Sequence, residues 1–114
     1  KGVSIGNDAH IGSNNTLDKN VTAGDNLTIG NGTTISQATT LGNNVTIGSI
    51  VSIGNNVVIG SGVVIGSNTI IAKSVIIGNN AQIGMNVSIG SSAKIAAGAV
   101  VPNGTSIGSK KTFP

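Results

Sequence analysis

Side chains that could carry out chemistry are few in this 114-residue chain. His10 is the only histidine, and imidazole is suited to general acid–base chemistry because it takes up and releases protons near neutral pH. Asp8 is the only carboxylate near it in sequence, while Asp18 and Asp25 lack the spacing of a calcium-binding loop and are interpreted as turn residues. The chain has no cysteine, which excludes disulfides and cysteine-based metal sites. These residues on their own identify no catalytic, cofactor-binding or metal-binding site.

Composition excludes several classes of partner. Charged residues make up 8 % of the chain, far below the roughly 25 % of ordinary globular domains, and there is no arginine. Without arginine or a set of aromatic rings the chain lacks the usual phosphate clamps and base-stacking groups, so we predict no nucleic-acid partner despite the net charge of +3. No apolar run reaches the ~18 residues of a membrane span. Because the sequence begins at Lys1 rather than Met, we expect a fragment or processed segment, and nothing in it indicates a cellular compartment.

The residues are organised by a six-residue repeat that runs through the chain without a slip. The position after the large apolar residue is mostly Gly, and the position two before it is mostly Val, Ala or Thr. Alternate residues of a strand point to the same side, so these two positions face inward and the residue between them faces outward. The large apolar positions are Ile5, Ile11, Leu17, Ala23, Ile29, Ile35, Leu41, Ile47, Ile53, Ile59, Ile65, Ile71, Ile77, Ile83, Ile89, Ile95, Val101 and Ile107, and Phe113 is in the same phase.

A six-residue period does not match the 3.6-residue period of a helix, and it is too short for ordinary hairpins. Short strands joined by bends, with equivalent positions stacked in parallel, account for the six-residue period. Asn or Gly precedes the small inward residue in most repeats, and both tolerate the left-handed backbone conformation of a sharp corner. These predicted corners are Gly2, Asn14, Asn20, Asn26, Gly32, Asn44, Asn56, Gly62, Asn68, Asn80, Asn86, Gly98 and Gly104.

This pattern resembles the hexapeptide-repeat family, the left-handed parallel β-helix found in bacterial acyl- and acetyltransferases. The resemblance covers essentially residues 2–108, and implies an all-β, single-stranded parallel β-helix: a triangular prism of about six coils with three hexapeptides each. The left hand is implied by the resemblance alone. We predict a β-helix domain over residues 1–108 and a C-terminal tail or cap over residues 109–114. Residues 13–40 contain the weakest matches to the repeat, including Asn15 and Gln37, and are predicted to be the looser part.

Stacking every eighteenth residue predicts three outer faces. Val58, Val64, Ile70 and Ile76 are outward yet apolar and circle the fourth coil. They are either strand-forming residues with no further role or a self-association surface. Outward threonines form short columns such as Thr28–Thr46, which resemble ice-binding surfaces but are only two or three residues long.

Two functions follow as expectations. The first is a non-catalytic structural or interaction segment, a rod, stalk or scaffold that self-associates as a homotrimer or by end-to-end stacking. The alternative is a fragment or minimal form of an acyltransferase, in which the resemblance implies His10 as general base and CoA or an acyl-carrier protein as donor. A single histidine excludes the three-histidine zinc site of the γ-carbonic anhydrases that share this fold, unless ligands lie outside this segment. For the non-catalytic structural segment we predict no cofactor. Ice binding by the outward threonine columns is a minor alternative.

Overall fold

The fold was established with a computed structural model, which describes residues 2–114. Lys1, the first residue of the predicted β-helix domain, lies outside the described residues. Within residues 2–114 there are 19 two-residue strands and no helix, and hence no helix long and apolar enough to cross a membrane. The strands are β1 (Ser4–Ile5), β2 (His10–Ile11), β3 (Thr16–Leu17), β4 (Thr22–Ala23), β5 (Thr28–Ile29), β6 (Thr34–Ile35), β7 (Thr40–Leu41), β8 (Thr46–Ile47), β9 (Ser52–Ile53), β10 (Val58–Ile59), β11 (Val64–Ile65), β12 (Ile70–Ile71), β13 (Ile76–Ile77), β14 (Gln82–Ile83), β15 (Ser88–Ile89), β16 (Lys94–Ile95), β17 (Val100–Val101), β18 (Ser106–Ile107) and β19 (Thr112–Phe113).

The strands form three parallel sheets, one on each side of a triangular prism. Face A is β1-β4-β7-β10-β13-β16-β19, face B is β2-β5-β8-β11-β14-β17, and face C is β3-β6-β9-β12-β15-β18. Every third strand therefore returns to the same face, which gives about six coils. This arrangement confirms the predicted fold and is consistent with a left-handed β-helix. The longest dimension, 31 Å, agrees with six or seven strands stacked about 4.8 Å apart.

Successive coils are joined by a ladder with a constant offset of 18 residues. Val58 pairs with Ile76 and Ile59 with Ile77 in register, and the same offset holds on the other faces. Up to Ala96, the N–H of each outward residue and of the residue after each core residue donates to the next coil, as from Gly60 N to Ile77 O at 2.8 Å. At the corners the direction reverses, as from Asn44 N back to Asp25 O at 2.8 Å. The ladder thus binds every coil to both of its neighbours.

The interior is a stack of aliphatic side chains. Ile35, Ile53 and Ile59 are at most 1 % exposed, and burial of each such side chain stabilises the fold by roughly 1.5–3 kcal/mol. The core is less well covered in the first coil, where Ile11 is exposed. Inward threonines are satisfied within the stack: Thr33 Oγ1, for example, donates to Gly48 O at 2.8 Å. Among residues 2–114 no buried side-chain polar atom is without a hydrogen-bond partner.

The corners have the left-handed backbone that the sequence predicted. All 13 predicted Asn and Gly corners have positive φ, for example Asn44 at 60° and Gly62 at 72°. Residues of other types also adopt it: Asp8, Ala38, Ile50, Ser74, Ser92 and Lys110. Ile50, at φ 57°, is the only β-branched residue with positive φ in the part of the chain that the structure describes.

Three edges join the faces, and two of them carry a ladder of side-chain hydrogen bonds. The A/B edge comprises residues 6–8, 24–26, 42–44, 60–62, 78–80 and 96–98; the B/C edge comprises 12–14, 30–32, 48–50, 66–68, 84–86 and 102–104; the C/A edge comprises 18–20, 36–38, 54–56, 72–74, 90–92 and 108–110. On the A/B edge, Asp25 N donates to Asn43 Oδ1 at 2.8 Å and Asn43 N to Ser61 Oγ at 3.0 Å. On the B/C edge, Ser49 N donates to Ser67 Oγ at 3.0 Å. Each side chain therefore satisfies a backbone donor in the coil before it.

We expect Asn43→Ala to lower the free energy of unfolding by about 1 kcal/mol, because Asp25 N loses its acceptor. Chemical denaturation followed by circular dichroism measures this change. Asn55→Ala is the matched control, since Asn55 occupies the equivalent slot on the C/A edge and only its backbone oxygen takes part in a hydrogen bond. An equal loss in both variants would argue against the side-chain ladder.

Both prolines lie in the slot whose N–H elsewhere donates to the next coil. Pro102 follows β17 and Pro114 follows β19, in the positions that Gly84 and Ala96 occupy one coil earlier. Gly84 N donates to Val101 O at 2.9 Å and Ala96 N to Phe113 O at 3.0 Å. Proline has no N–H, so neither residue can donate this bond to a further rung.

Candidate functional site

His10 lies in β2 on face B, with its side chain exposed. Its Nδ1 is 3.3 Å from the backbone oxygen of Asp8. Because a carbonyl oxygen can only accept, this contact is a hydrogen bond when Nδ1 carries the proton. In a neutral ring protonated at Nδ1, Nε2 has a free lone pair. A general base needs such a lone pair to accept a proton.

The aspartates do not form a carboxylate partner for this histidine. Asp25 Oδ1 accepts from Asn7 N at 2.8 Å, and Asp18 Oδ1 accepts from Lys19 N at 2.8 Å, which is the behaviour of turn residues. Asp8 contacts His10 through its main chain. Across residues 2–114 no group of three or more His, Cys, Asp or Glu side chains could hold a metal ion.

The ring of apolar residues predicted as a self-association surface is divided among the three faces. Val58 and Ile76 are adjacent on face A, 45 % and 46 % exposed. Val64 lies on face B and Ile70 on face C, both exposed. Residues six apart lie on successive faces, so one flat contact cannot use all four side chains.

A shallow groove of about 420 Å³ opens on face B beside the B/C edge. Val64 and Val100 line it from two coils, with Gln82 between them, and Pro102 and Asn103 close it at the edge. This groove was not predicted from the sequence. The outward residues of face B contain the relevant pattern, because the apolar residues Val64 and Val100 lie one coil before and one coil after Gln82.

The threonine columns lie where the repeat predicts. Thr28 and Thr46 are paired neighbours on face B, and Thr34 and Ser52 are paired neighbours on face C. These side chains are exposed, but each column ends after two or three members. Asn15, predicted to mark a looser region, is half-buried, donates from Nδ2 to Gly30 O at 2.7 Å and accepts from Thr33 N at 2.7 Å. The looseness of residues 13–40 stays a prediction.

Comparisons with known proteins identify relatives of this fold. The family model described as "Bacterial transferase hexapeptide (six repeats)" matches residues 38–73 and 74–109, and the model for the hexapeptide repeat of succinyl-transferase matches residues 2–37 and 56–91. No curated protein matches the chain.

Three solved structures illustrate the likeness. The acetyltransferase domain of PglB from Neisseria gonorrhoeae is 21 % identical with a TM-score of 0.83, over 93 % of this chain and 54 % of that one. Serine acetyltransferase from Neisseria gonorrhoeae is 27 % identical with a TM-score of 0.54, over 92 % of this chain and 36 % of that one. PerB from Caulobacter crescentus, solved with CoA and GDP-perosamine, is 17 % identical with a TM-score of 0.64, over 91 % of this chain and 52 % of that one. The chain thus spans about half or less of the length of these structures.

Proposed function

Because the chain belongs to the bacterial transferase hexapeptide family, we propose that it is the β-helix portion of an acyltransferase. The observation that carries this proposal is the family match over residues 38–109, within a repeat that runs without interruption from Ile5 to Phe113. The compared structures named above include an acetyltransferase domain and a serine acetyltransferase, which supports transfer of an acyl group rather than another reaction.

In this proposal His10 is the general base. Its exposed imidazole can meet an acceptor, and the bond from Nδ1 to Asp8 O leaves Nε2 free to take a proton from a hydroxyl or an amine. Removal of that proton makes the acceptor a better nucleophile toward an acyl group. His10 is the only side chain of the sequence with this capacity near neutral pH.

The residues of one copy do not fit a CoA donor around His10. The phosphates of CoA call for cations. Lys19, in the first coil, lies on the C/A edge, which does not border face B, and the remaining lysines of residues 2–114 are Lys73, Lys94, Lys110 and Lys111. These lie on face A or at the C/A edge, three or more rungs from the first coil, which is about 15 Å along the axis. His10 lies on face B. We therefore assign no donor contact to these residues.

Release of free thiol from acetyl-CoA, measured with a panel of amine and hydroxyl acceptors, tests the proposal on the full chain. We expect His10→Ala to lower turnover by at least about 100-fold, with unchanged circular dichroism and melting temperature, because the base is lost and the fold does not depend on it. Thr28→Ala is the matched control: Thr28 is the outward neighbour of His10 in the next coil. Equal turnover of His10→Ala and wild type would remove His10 from the mechanism.

A non-catalytic structural or interaction segment is the second candidate. The observation that favours it is the isolation of His10, which has no side-chain hydrogen bond with another side chain. This candidate predicts no thiol release above background with any acceptor and retains the self-association expected of a scaffold.

A further inference from the structure

Each sheet of the prism terminates in a strand that has a partner on one side only. At one end, here called the lower end, these strands are β1, β2 and β3; at the other, the upper end, they are β19, β17 and β18. An unpaired strand edge is a template on which another strand can pair. The two ends differ in the groups that such an added coil would meet.

The side chain of Lys111 lies over the upper end. Lys111 occupies the inward slot that the buried Ala93 holds one coil earlier. A Cβ atom at Gly90 would meet the backbone of the following coil, 2.6 Å from Ser109 N. A Cβ at Gly108, the same slot of the last coil, would meet Lys111 Cγ instead, at 3.5 Å. The lysine therefore fills space that the backbone of an added coil would need.

The charge of Lys111 adds to this steric obstacle. A coil stacked on the upper end would enclose the side chain next to Ala93, in the inward column of face A. Withdrawal of an ammonium group from water is costly. Inward-pointing charged residues are one of the devices that keep strand edges unpaired.

The two prolines remove hydrogen-bond donors from the same end. Pro102 and Pro114 are the only prolines of the sequence, and they follow β17 and β19, the last strands of faces B and A. In the ladder the residue after each core residue donates to the next coil, and proline cannot do so. Proline is confined to edge strands for this reason.

The upper end also satisfies a hydroxyl that elsewhere depends on the following coil. Oγ1 of Thr33, Thr39 and Thr69 each donates to a backbone oxygen 15 residues later. Thr105 occupies the equivalent inward slot, but its Oγ1 donates back to Pro102 O, at 2.7 Å, within its own coil. No further coil is needed to satisfy this group.

The lower end has the chemistry of an interior coil edge. The inward residues of the first coil are uncharged, and residues 2–18 contain no proline. Val3 and Ile11 are 37 % and 39 % exposed there, whereas the equivalent residues of the next coil, Val21 and Ile29, are buried. The lower end therefore offers apolar surface to an added coil without the obstacles of the upper end.

We propose that Lys111, Pro102 and Pro114 form a cap, which prevents further strands from joining the three sheets at the upper end. The cap acts on any polypeptide that could add a coil there, including the lower end of a second copy. Strand addition is then confined to the lower end, and copies of the chain do not stack into rods.

Removal of the cap by a triple variant tests this proposal. Pro102→Gly, Lys111→Ala and Pro114→Ala introduce the residues that stand one coil earlier, namely Gly84, Ala93 and Ala96. Small-angle X-ray scattering over a concentration series separates growth in length from growth in cross-section. We expect the triple variant to associate end to end at least about tenfold more tightly than wild type, as rods that lengthen beyond the 31 Å of one prism.

The matched control is Lys94→Ala, which removes the same charge from an outward position on face A one coil earlier. It should not lengthen. A wild-type chain that forms rods would overturn the proposal. Rods formed equally by Lys94→Ala and the triple variant would also overturn it, in favour of simple charge repulsion.

A second measurement does not depend on the lower end of another copy. A copy of residues 61–78 joined after Pro114 continues the repeat in phase, and its coil could accept from Ser106 N and Thr112 N. Hydrogen exchange should leave these two amides unprotected in wild type carrying the added coil and protect them in the triple variant carrying it. Rods or protection gained by the triple variant alone supports the cap. Equal protection with and without the cap, or a triple variant that behaves as wild type in both measurements, refutes it.

Discussion

Ile59→Asp should abolish the cooperative unfolding transition of the prism. Ile59 is 1 % exposed in the middle coil, stacked in register between Leu41 and Ile77. The substitution loses the burial of a large aliphatic side chain and leaves a carboxylate among apolar groups without a partner. Together these cost several kcal/mol, comparable with the about 5–15 kcal/mol that stabilises a typical domain. Thermal denaturation followed by circular dichroism measures the loss.

Val58→Asp is the matched control for this experiment. It introduces the same side chain one residue earlier, but on the outer side of the same strand, where Val58 is 45 % exposed. This variant should melt within a few degrees of wild type. Wild-type stability of Ile59→Asp would contradict the inward orientation of the large apolar position, and with it the whole assignment of the core.

Gly66→Val should destabilise the fold by about 3 kcal/mol through steric overlap between coils. A Cβ atom at Gly66 would lie 2.6 Å from the backbone carbon and oxygen of Gly84 in the next coil. Both atoms are backbone, so relief requires the coils to separate and lengthens the ladder between them. Denaturant unfolding gives the difference in free energy.

The same substitution at Gly108 isolates the effect of the neighbouring coil. Gly108 occupies the equivalent slot of the repeat, but a Cβ there meets only the Lys111 side chain, at 3.5 Å. Gly108→Val should therefore change stability little. If both variants lost equal stability, the cause would be the strand itself and not the close approach of two coils.

The fold was predictable because one six-residue repeat, which defines each strand, runs through the whole chain. An apolar residue every six positions predicts the strand, its inward side and, with three sides per coil, its partner 18 residues away. Val58–Ile59 and Ile76–Ile77 are strands and partners as that rule requires. The number of sides per coil, and with it the 18-residue offset, was implied by the resemblance to the hexapeptide-repeat family and not by the period.

Corners occupied by residues that disfavour positive φ could not be predicted from conformational propensity. Ala38, Ile50 and Lys110 have positive φ although their side chains disfavour it. Closure of the coil imposes the conformation, because the strands on either side are held by their ladders. Ile50 N, for instance, donates to Asn31 O at 2.9 Å like any other corner.

The position of the candidate site could be predicted from the sequence, but the contacts of its residues could not. The repeat assigns His10 to an outer face, but its bond to the backbone of Asp8, rather than to a carboxylate, depends on the turn geometry. The groove beside Gln82 arises from side chains of successive coils and the edge that follows them, so it is invisible in a single repeat. The four outward apolar residues follow one another at intervals of six residues, yet the triangular cross-section distributes them over three faces, with Val58 and Ile76 one rung apart on face A.

The constant 18-residue offset between paired strands has a consequence for how the chain folds. No ladder bond can form until a loop of one full coil has closed, which makes the first pair of coils the costly step. Each later hexapeptide then adds bonds at the end of an existing stack without closing a longer loop. Folding should therefore nucleate on two adjacent coils and then propagate by adding one hexapeptide after another to the ends of the stack. The prism should also open from its ends, so that the coil containing β10, β11 and β12 is the last to exchange its amide protons with water.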